Sequence, residues 1–206
     1  MENIFYLQKT ANGTNQITLK SKMLEKRIIF LDGEINSESV NKTITQMSLL
    51  CAEDSSKPIT LLINSNGGSI RDGLVLIDVM RAMPFPIRTV SMGIAASMAA
   101  VILAAGTKGR RYITPSSYAM LHQPLISSGL PAGSCSEVEQ IAKSLLDRRD
   151  QLNTLLSELT GKDISVISEV TSKDTYLSAE EAKNLGLVDV IANGTMLFKL
   201  IKGDVN

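Results

Sequence analysis

Only one histidine, His122, occurs among the 206 residues, so any mechanism needing an imidazole base must use it. Tyr118-Ala-Met-Leu-His122 reads as a buried strand ending at the ring, and Gln123-Pro124 turns the chain away. A strand end at a cleft is a useful place to hold a general base, although a lone histidine serves structural roles as readily. Ser97 is the candidate nucleophile. It follows the strand-like Ile87–Met92 and Gly93 and opens an Ala-rich helix, Ser97–Ala105. A hydroxyl at a strand-to-helix turn is exposed, and the Met98 N–H is a helix-start donor able to face a developing oxyanion. Ala95, Ala96, Ala99 and Ala100 leave room for a substrate backbone. A serine at this point also suits a helix cap, and Gly-x-Ser-x-Gly is absent. Gly67-Gly68 can take dihedrals closed to other residues and could give a second oxyanion donor, hold a phosphate or simply turn. Nucleotide loops of the GxxxxGK[ST] or GxGxxG kind are missing. Together these residues suit acyl transfer, which also needs a carboxylate to orient the imidazole. Spacing leaves Asp72, Asp150, Asp163, Asp174 and Asp189 all open.

The elements that must position these groups alternate along the chain. Arg27–Leu31 reads as a strand, Ser37–Ala52 as a helix with Val40, Ile44 and Met47 on one face, and Ile59–Ile63 as a second strand. A helix through Leu74, Ile77 and Met80 is closed by Pro84 and Pro86, and Ile87–Met92 is the third strand. Repeated βα units of this length predict a largely parallel sheet. The second half is mostly helical. Ser136-Glu-Val-Glu139 reads as a capping box for a helix of over twenty residues reaching Gly161. Ser178-Ala-Glu-Glu181 starts a short helix ended by Gly186, and Val188–Ile191 returns as a strand. The Gly/Ser/Pro stretch between His122 and Ser136 reads as a loop or exposed arm.

Composition narrows the rest. Lys plus Arg and Asp plus Glu each total 21, so the basic surface that a nucleic-acid partner demands is not visible. Cys51 and Cys135 stand far apart, and with one histidine they cannot build a zinc set. Two such cysteines and no apolar leader near Glu2 predict a reduced, cytoplasmic protein. Thr89–Thr107 is uncharged over nearly a membrane-spanning length, but it reads better as strand, turn and buried helix, so no membrane partner is expected.

Five segments occur in order: Arg27-Ile-Ile-Phe-Leu-Asp-Gly-Glu-Ile35, Ile63-Asn-Ser-Asn-Gly-Gly-Ser69, Gly93-Ile-Ala-Ala-Ser-Met-Ala99, Met120-Leu-His-Gln-Pro124 and Leu177-Ser-Ala-Glu-Glu-Ala-Lys-Asn-Leu-Gly-Leu-Val-Asp189. Over about Lys22 to Ile191 they resemble the ClpP family, the proteolytic subunits of the Clp protease. The resemblance implies an α/β, crotonase-like β-α spiral forming a single domain over residues 1–206. Within it a head would span about 22–122 and 174–206, a projecting helix/strand handle about 123–173, and an N-terminal axial segment 1–21. It implies heptameric rings that can stack around a closed chamber, an AAA+ unfoldase that uses the ATP, and no cofactor in this chain. By the resemblance, Ser97 is the nucleophile, His122 its base and Asp174 the third member, while Gly68 and Met98 supply the oxyanion amides. Ile70 and Leu125 match strand segments between which a peptide would lie as an added strand, a mode that reads backbone more than side chain. Serine endopeptidase action on unfolded polypeptides is the expected function. The alternatives are a paralogous ring subunit of low intrinsic activity that needs a partner ring, and an acyl-CoA hydratase or isomerase of the same fold. A membrane peptidase with a Ser–Lys dyad is disfavoured by His122 in its motif.

Three departures from the family pattern stand out. Asn66 replaces the usual Pro of the glycine turn and tolerates the left-handed region. Thr60 and Leu62 replace a Tyr-x-Tyr pattern that lines the unfoldase-docking pocket, which predicts weakened docking. The arm Leu125–Cys135 lacks Gln-Gly-Gln, and Ser172-Lys173-Asp174 replaces Asp-Arg-Asp. Both sides of the ring–ring contact thus differ, which predicts normal rings with unusual stacking.

Overall fold

The computed structural model describes residues 5–10, 13–125 and 133–203. An antiparallel hairpin of β1 (Phe5–Thr10) and β2 (Gly13–Thr18) leads into α1 (Leu19–Leu24). Strands and helices then alternate: β3 (Ile28–Ile35), α2 (Ser37–Glu53), β4 (Ile59–Gly68), α3 (Ile70–Ala82), β5 (Ile87–Ala96) and α4 (Met98–Ala104). Next come β6 (Arg111–Ile113), β7 (Tyr118–Leu121), α5 (Cys135–Thr160) and α6 (Ile164–Thr171). The chain closes with β8 (Thr175–Ser178), α7 (Ala179–Leu185), β9 (Val190–Ile191) and α8 (Gly194–Lys202). The expected mixed α/β architecture with a mostly parallel sheet is what forms. Strands β3-β4-β5-β6-β9 run parallel in that order, β7 lies parallel to β5, and β8 pairs antiparallel with β7.

Strands β4 and β5 open with runs of five buried residues because the sheet is covered on both faces. On one face Ile29, Leu31, Leu61 and Ile63 pack under α2, α3 and the wholly buried α4. On the other, Ile28, Leu62, Val90 and Tyr112 are closed over by Leu200 of α8, with Leu197 and Met23 at the margin.

The third strand does not stop at Met92 as its sequence suggests. It continues to Ala96 and branches: Thr89–Ser91 pair with β6, whereas Ile94–Ala96 pair with β7. Gly93 (φ 113°) marks the parting, and a Cβ there would lie 2.6 Å from Asn64 Oδ1. Side chains satisfy the backbone where the ladders separate. The Gly93 N–H donates to Ser117 Oγ at 2.7 Å and the Ile94 N–H to Asn64 Oδ1 at 3.2 Å.

The long helix starts one residue before the expected capping box. Ser134 and Glu137 form the box instead of Ser136 and Glu139, and Gly161 (φ 74°) ends the helix. Its 26 residues reach about 39 Å. Its buried positions begin only at Leu152. Of the helix/strand handle expected over about 123–173, residues 126–132 lie outside the described ones. Among the described residues, no helix is long and apolar enough to cross a membrane.

A buried guanidinium ties the second half to the first. Arg111, 2% exposed, grips Asp189 through Nε at 2.9 Å and Nη2 at 2.6 Å. Its Nη1 donates to the Ala104 carbonyl at 3.3 Å and the Leu159 carbonyl at 2.9 Å, so one side chain caps the ends of α4 and α5. Burial raises the Asp189 carboxyl, but bonds from the Arg111 side chain and N–H outweigh it and hold it below the ordinary carboxylate range. Arg111→Ala should therefore cost about 3–5 kcal/mol in denaturant titration, since it strands the carboxylate and two helix ends. A depressed carboxylate stabilises the fold above its unfolded value near 4. The Asp189 contribution should fade as pH drops through the lower native value, and Asp189→Asn should flatten that part of the stability–pH curve.

Candidate active site

Three neighbouring parallel strands, β4, β5 and β7, finish at the same edge of the sheet, the usual place for a site in such sheets. Ala96 lies beside Met120, and the Ser97 N–H donates to the Met120 carbonyl at 2.8 Å. Ser97 is thus one residue past β5 and His122 one residue past β7, and Ser97 Oγ meets His122 Nε2 at 2.8 Å. The acid arrives by register. Tyr118 pairs with Ser178 and Leu121 with Thr175, so continuing the antiparallel ladder sets His122 opposite Asp174. Asp174 Oδ1 is 3.7 Å from His122 Nδ1, beyond a hydrogen bond but close enough for attraction to a charged imidazole. The His122 side chain is 14% exposed and that of Asp174 67%.

Ser97 has φ 54° and ψ −126°, and only Arg27 shares a positive φ among the described non-glycine residues. Such a backbone costs about 1–3 kcal/mol and persists where its surroundings over-determine it. Ser97 makes no side-chain cap bond to α4, so the cap reading of its hydroxyl gives way to the bond with His122. The turn works as an elbow without flanking glycines because Ala95, Ala96, Ala99 and Ala100 are small and buried. Gly67 (φ 95°) lies directly against it. A Cβ there would come within 2.7 Å of Ala96 O and Ser97 Cβ and 3.1 Å of Met98 N. Gly68 (φ 150°) is equally confined, its virtual Cβ 2.2 Å from Ile35 O. Ser65 Oγ braces the turn, accepting the Gly67 N–H at 3.1 Å and donating to Gly33 O. Met98 is held by its own side chain, which packs where a Cβ on Gly73 would sit.

The Clp protease family model matches residues 11–195, most of the chain. This protein belongs to the Clp protease family. It is a peptidase of the Clp type, and the match contains all five motifs from Arg27 to Asp189.

Of the five aspartates open on spacing, only Asp174 faces His122 in this Clp-family chain. Asp72 pairs with Arg71, Asp150 with Arg149 and Asp189 with Arg111, while Asp163 caps α6. Ile70 and Leu125 are not strand residues as expected. Ile70 opens α3 because Ser69 accepts the Asp72 N–H and starts a helix there. Leu125 is exposed in irregular backbone, the last described residue before 126–132. Asn66 stays within β4 and does not use the left-handed region. Thr60 and Leu62 are both buried, Leu62 beneath Leu200. Ser65, Asn64 and the Met120 carbonyl are positioning groups that the sequence did not single out, since they reach Gly33, Ile94 and Ser97, each more than twenty residues away in the chain. Among the described residues no three His, Cys, Asp or Glu gather closely enough to hold a metal ion. Gly67→Ala should destabilise the fold by more than Gly109→Ala. Both positions have positive φ, but nothing lies within 4 Å of the space a Gly109 Cβ would take. Equal losses in denaturant titration would show that the contact of Gly67 with Ser97 is slack.

Proposed function

We propose that this Clp-family chain is a serine endopeptidase subunit that cleaves unfolded polypeptides by acyl-enzyme chemistry. The observation that carries the reading is the 2.8 Å contact of Ser97 Oγ with His122 Nε2, backed by Asp174 on the far side of the ring. His122 Nε2 takes the hydroxyl proton as Oγ attacks the peptide carbonyl. The Gly68 and Met98 amides receive the tetrahedral oxyanion. The same imidazole then gives its proton to the leaving amine, and water repeats the sequence to free the acyl group. Asp174 supports the imidazolium that forms in both halves. Binding of the substrate backbone near Ile70 and Leu125 would leave cleavage tolerant of sequence.

Assembly completes the proposal. Heptameric rings around a chamber, fed by an AAA+ unfoldase, would restrict access to unfolded chains. The head and handle division accords with α5, whose first four turns project without a buried side chain. Docking of the unfoldase would be weak, because Thr60 and Leu62 bring no aromatic ring to that surface and both are buried. One observation also favours a subunit of low intrinsic activity that needs a partner ring. The Asp174 to His122 distance of 3.7 Å leaves the third member short of a hydrogen bond in the single chain.

A fluorophosphonate probe should label Ser97, and Ser97→Ala should abolish labelling without changing assembly mass. Seven chains of 22.3 kDa make about 156 kDa and fourteen about 312 kDa. A ring alone should give the smaller mass in light scattering, with hydrolysis rising when a paralogous ring is added. Labelling that survives Ser97→Ala would move the nucleophile elsewhere. A fully active assembly at the larger mass without a partner would remove the need for one.

A further inference from the structure

Residues two apart on a strand share a face. On β7 this groups Tyr118, Met120 and, one step beyond the strand, His122; Ala119 and Leu121 point the other way and are buried. On β8, Tyr176 pairs with Met120 and Ser178 with Tyr118, so these four also share that face. Tyr176 is 61% exposed and Tyr118 42%, with ring centroids 6.0 Å apart and planes inclined at 50°. Scattered exposed apolar residues are ordinary. Here two packed rings and a methionine instead form one patch continuous with the imidazole.

The chemistry gives the patch a direction. His122 Nε2 must hand its proton to the leaving nitrogen, so the departing half of the substrate has to run out over the imidazole. In the serine peptidase reading the Gly68 and Met98 amides receive the carbonyl oxygen instead. A strand advances about 3.4 Å per residue, so side chains just beyond the cleaved bond come over Met120 and Tyr176. Resting on the serine peptidase reading above, we infer that Tyr176, Tyr118 and Met120 form a specificity subsite for large apolar or aromatic side chains. These would occupy the first two positions on the leaving-group side of the cleaved bond. Aromatic pairs offer such side chains rigid area and favourable edge contacts.

The test is a cleavage map of reduced, alkylated casein, obtained by mass spectrometry for wild type, Tyr176→Phe and Tyr176→Ala, with probe labelling of Ser97 as companion readout. Wild type should enrich large apolar residues in the first two leaving-side positions. Tyr176→Phe should keep that enrichment, and Tyr176→Ala should reduce it about tenfold, the low end for a hydrophobic pocket. The acyl-side preference should not move. The same map for wild type and Tyr176→Ala, or an equal shift on the acyl side, overturns the subsite. So does a wild type that labels at Ser97 yet makes no cuts, and in these cases the peptidase assignment stands. Failure of wild type to label at Ser97, or cutting that persists in Ser97→Ala, removes that assignment and the subsite with it.

Discussion

The pairing of β5 with β7 is the constraint on which the site rests. Adjacent strands lie about 4.8 Å apart, and the Ser97 N–H to Met120 carbonyl bond fixes the register at which they end. From neighbouring strand ends a seryl oxygen and an imidazole nitrogen can meet without either side chain reaching far. A slip of one residue would send His122 to the opposite face of β7. The antiparallel direction of β8 matters for the same reason. It starts where β7 stops, so its first residues lie beside the last residues of the strand that leads to His122.

Holding this edge in place requires the surroundings to accept strain. Ser97 sits in a backbone region that a side chain resists, and the space beside it is kept open by Gly67. The helix that begins at Met98 is short, with all seven residues buried. Its far end is held by Arg111, which also joins the end of α5 and Asp189. A single charged group in the interior therefore locks the element that follows Ser97. Its three partner residues, Ala104, Leu159 and Asp189, come from three different elements or loops of the chain. Apolar burial supplies the bulk of stability, while this clamp specifies how the pieces meet.

Much of this was legible before any coordinates. The apolar runs of β3, β4 and β5, the amphipathic stripe of α2 and the Ala-rich α4 follow from period and composition. Ser97 and His122 stood out by type and position alone. Composition could not tell which aspartate faces His122, because that is decided by β7–β8 register, a pairing between segments separated by the whole of α5. Three residues are too few to show a period, so β6 passed unnoticed, as did β8 with four. The end of β5 is hidden in the sequence for a related reason. Gly93 looks like a turn locally, but Asn64 and Ser117 satisfy its surroundings from other strands and let the chain run on. The capping box of α5 was displaced because two Ser–x–x–Glu frames overlap there, and only backbone geometry decides which is used.

The open position of Asp174 has a consequence for the medium in which the protein works. A carboxylate two-thirds in contact with water acts through a high dielectric and an atmosphere of mobile ions. Its hold on a positively charged imidazole is therefore set as much by ionic strength as by the fold. Any body that seals this corner from solvent would strengthen the same attraction several-fold without shifting a single strand.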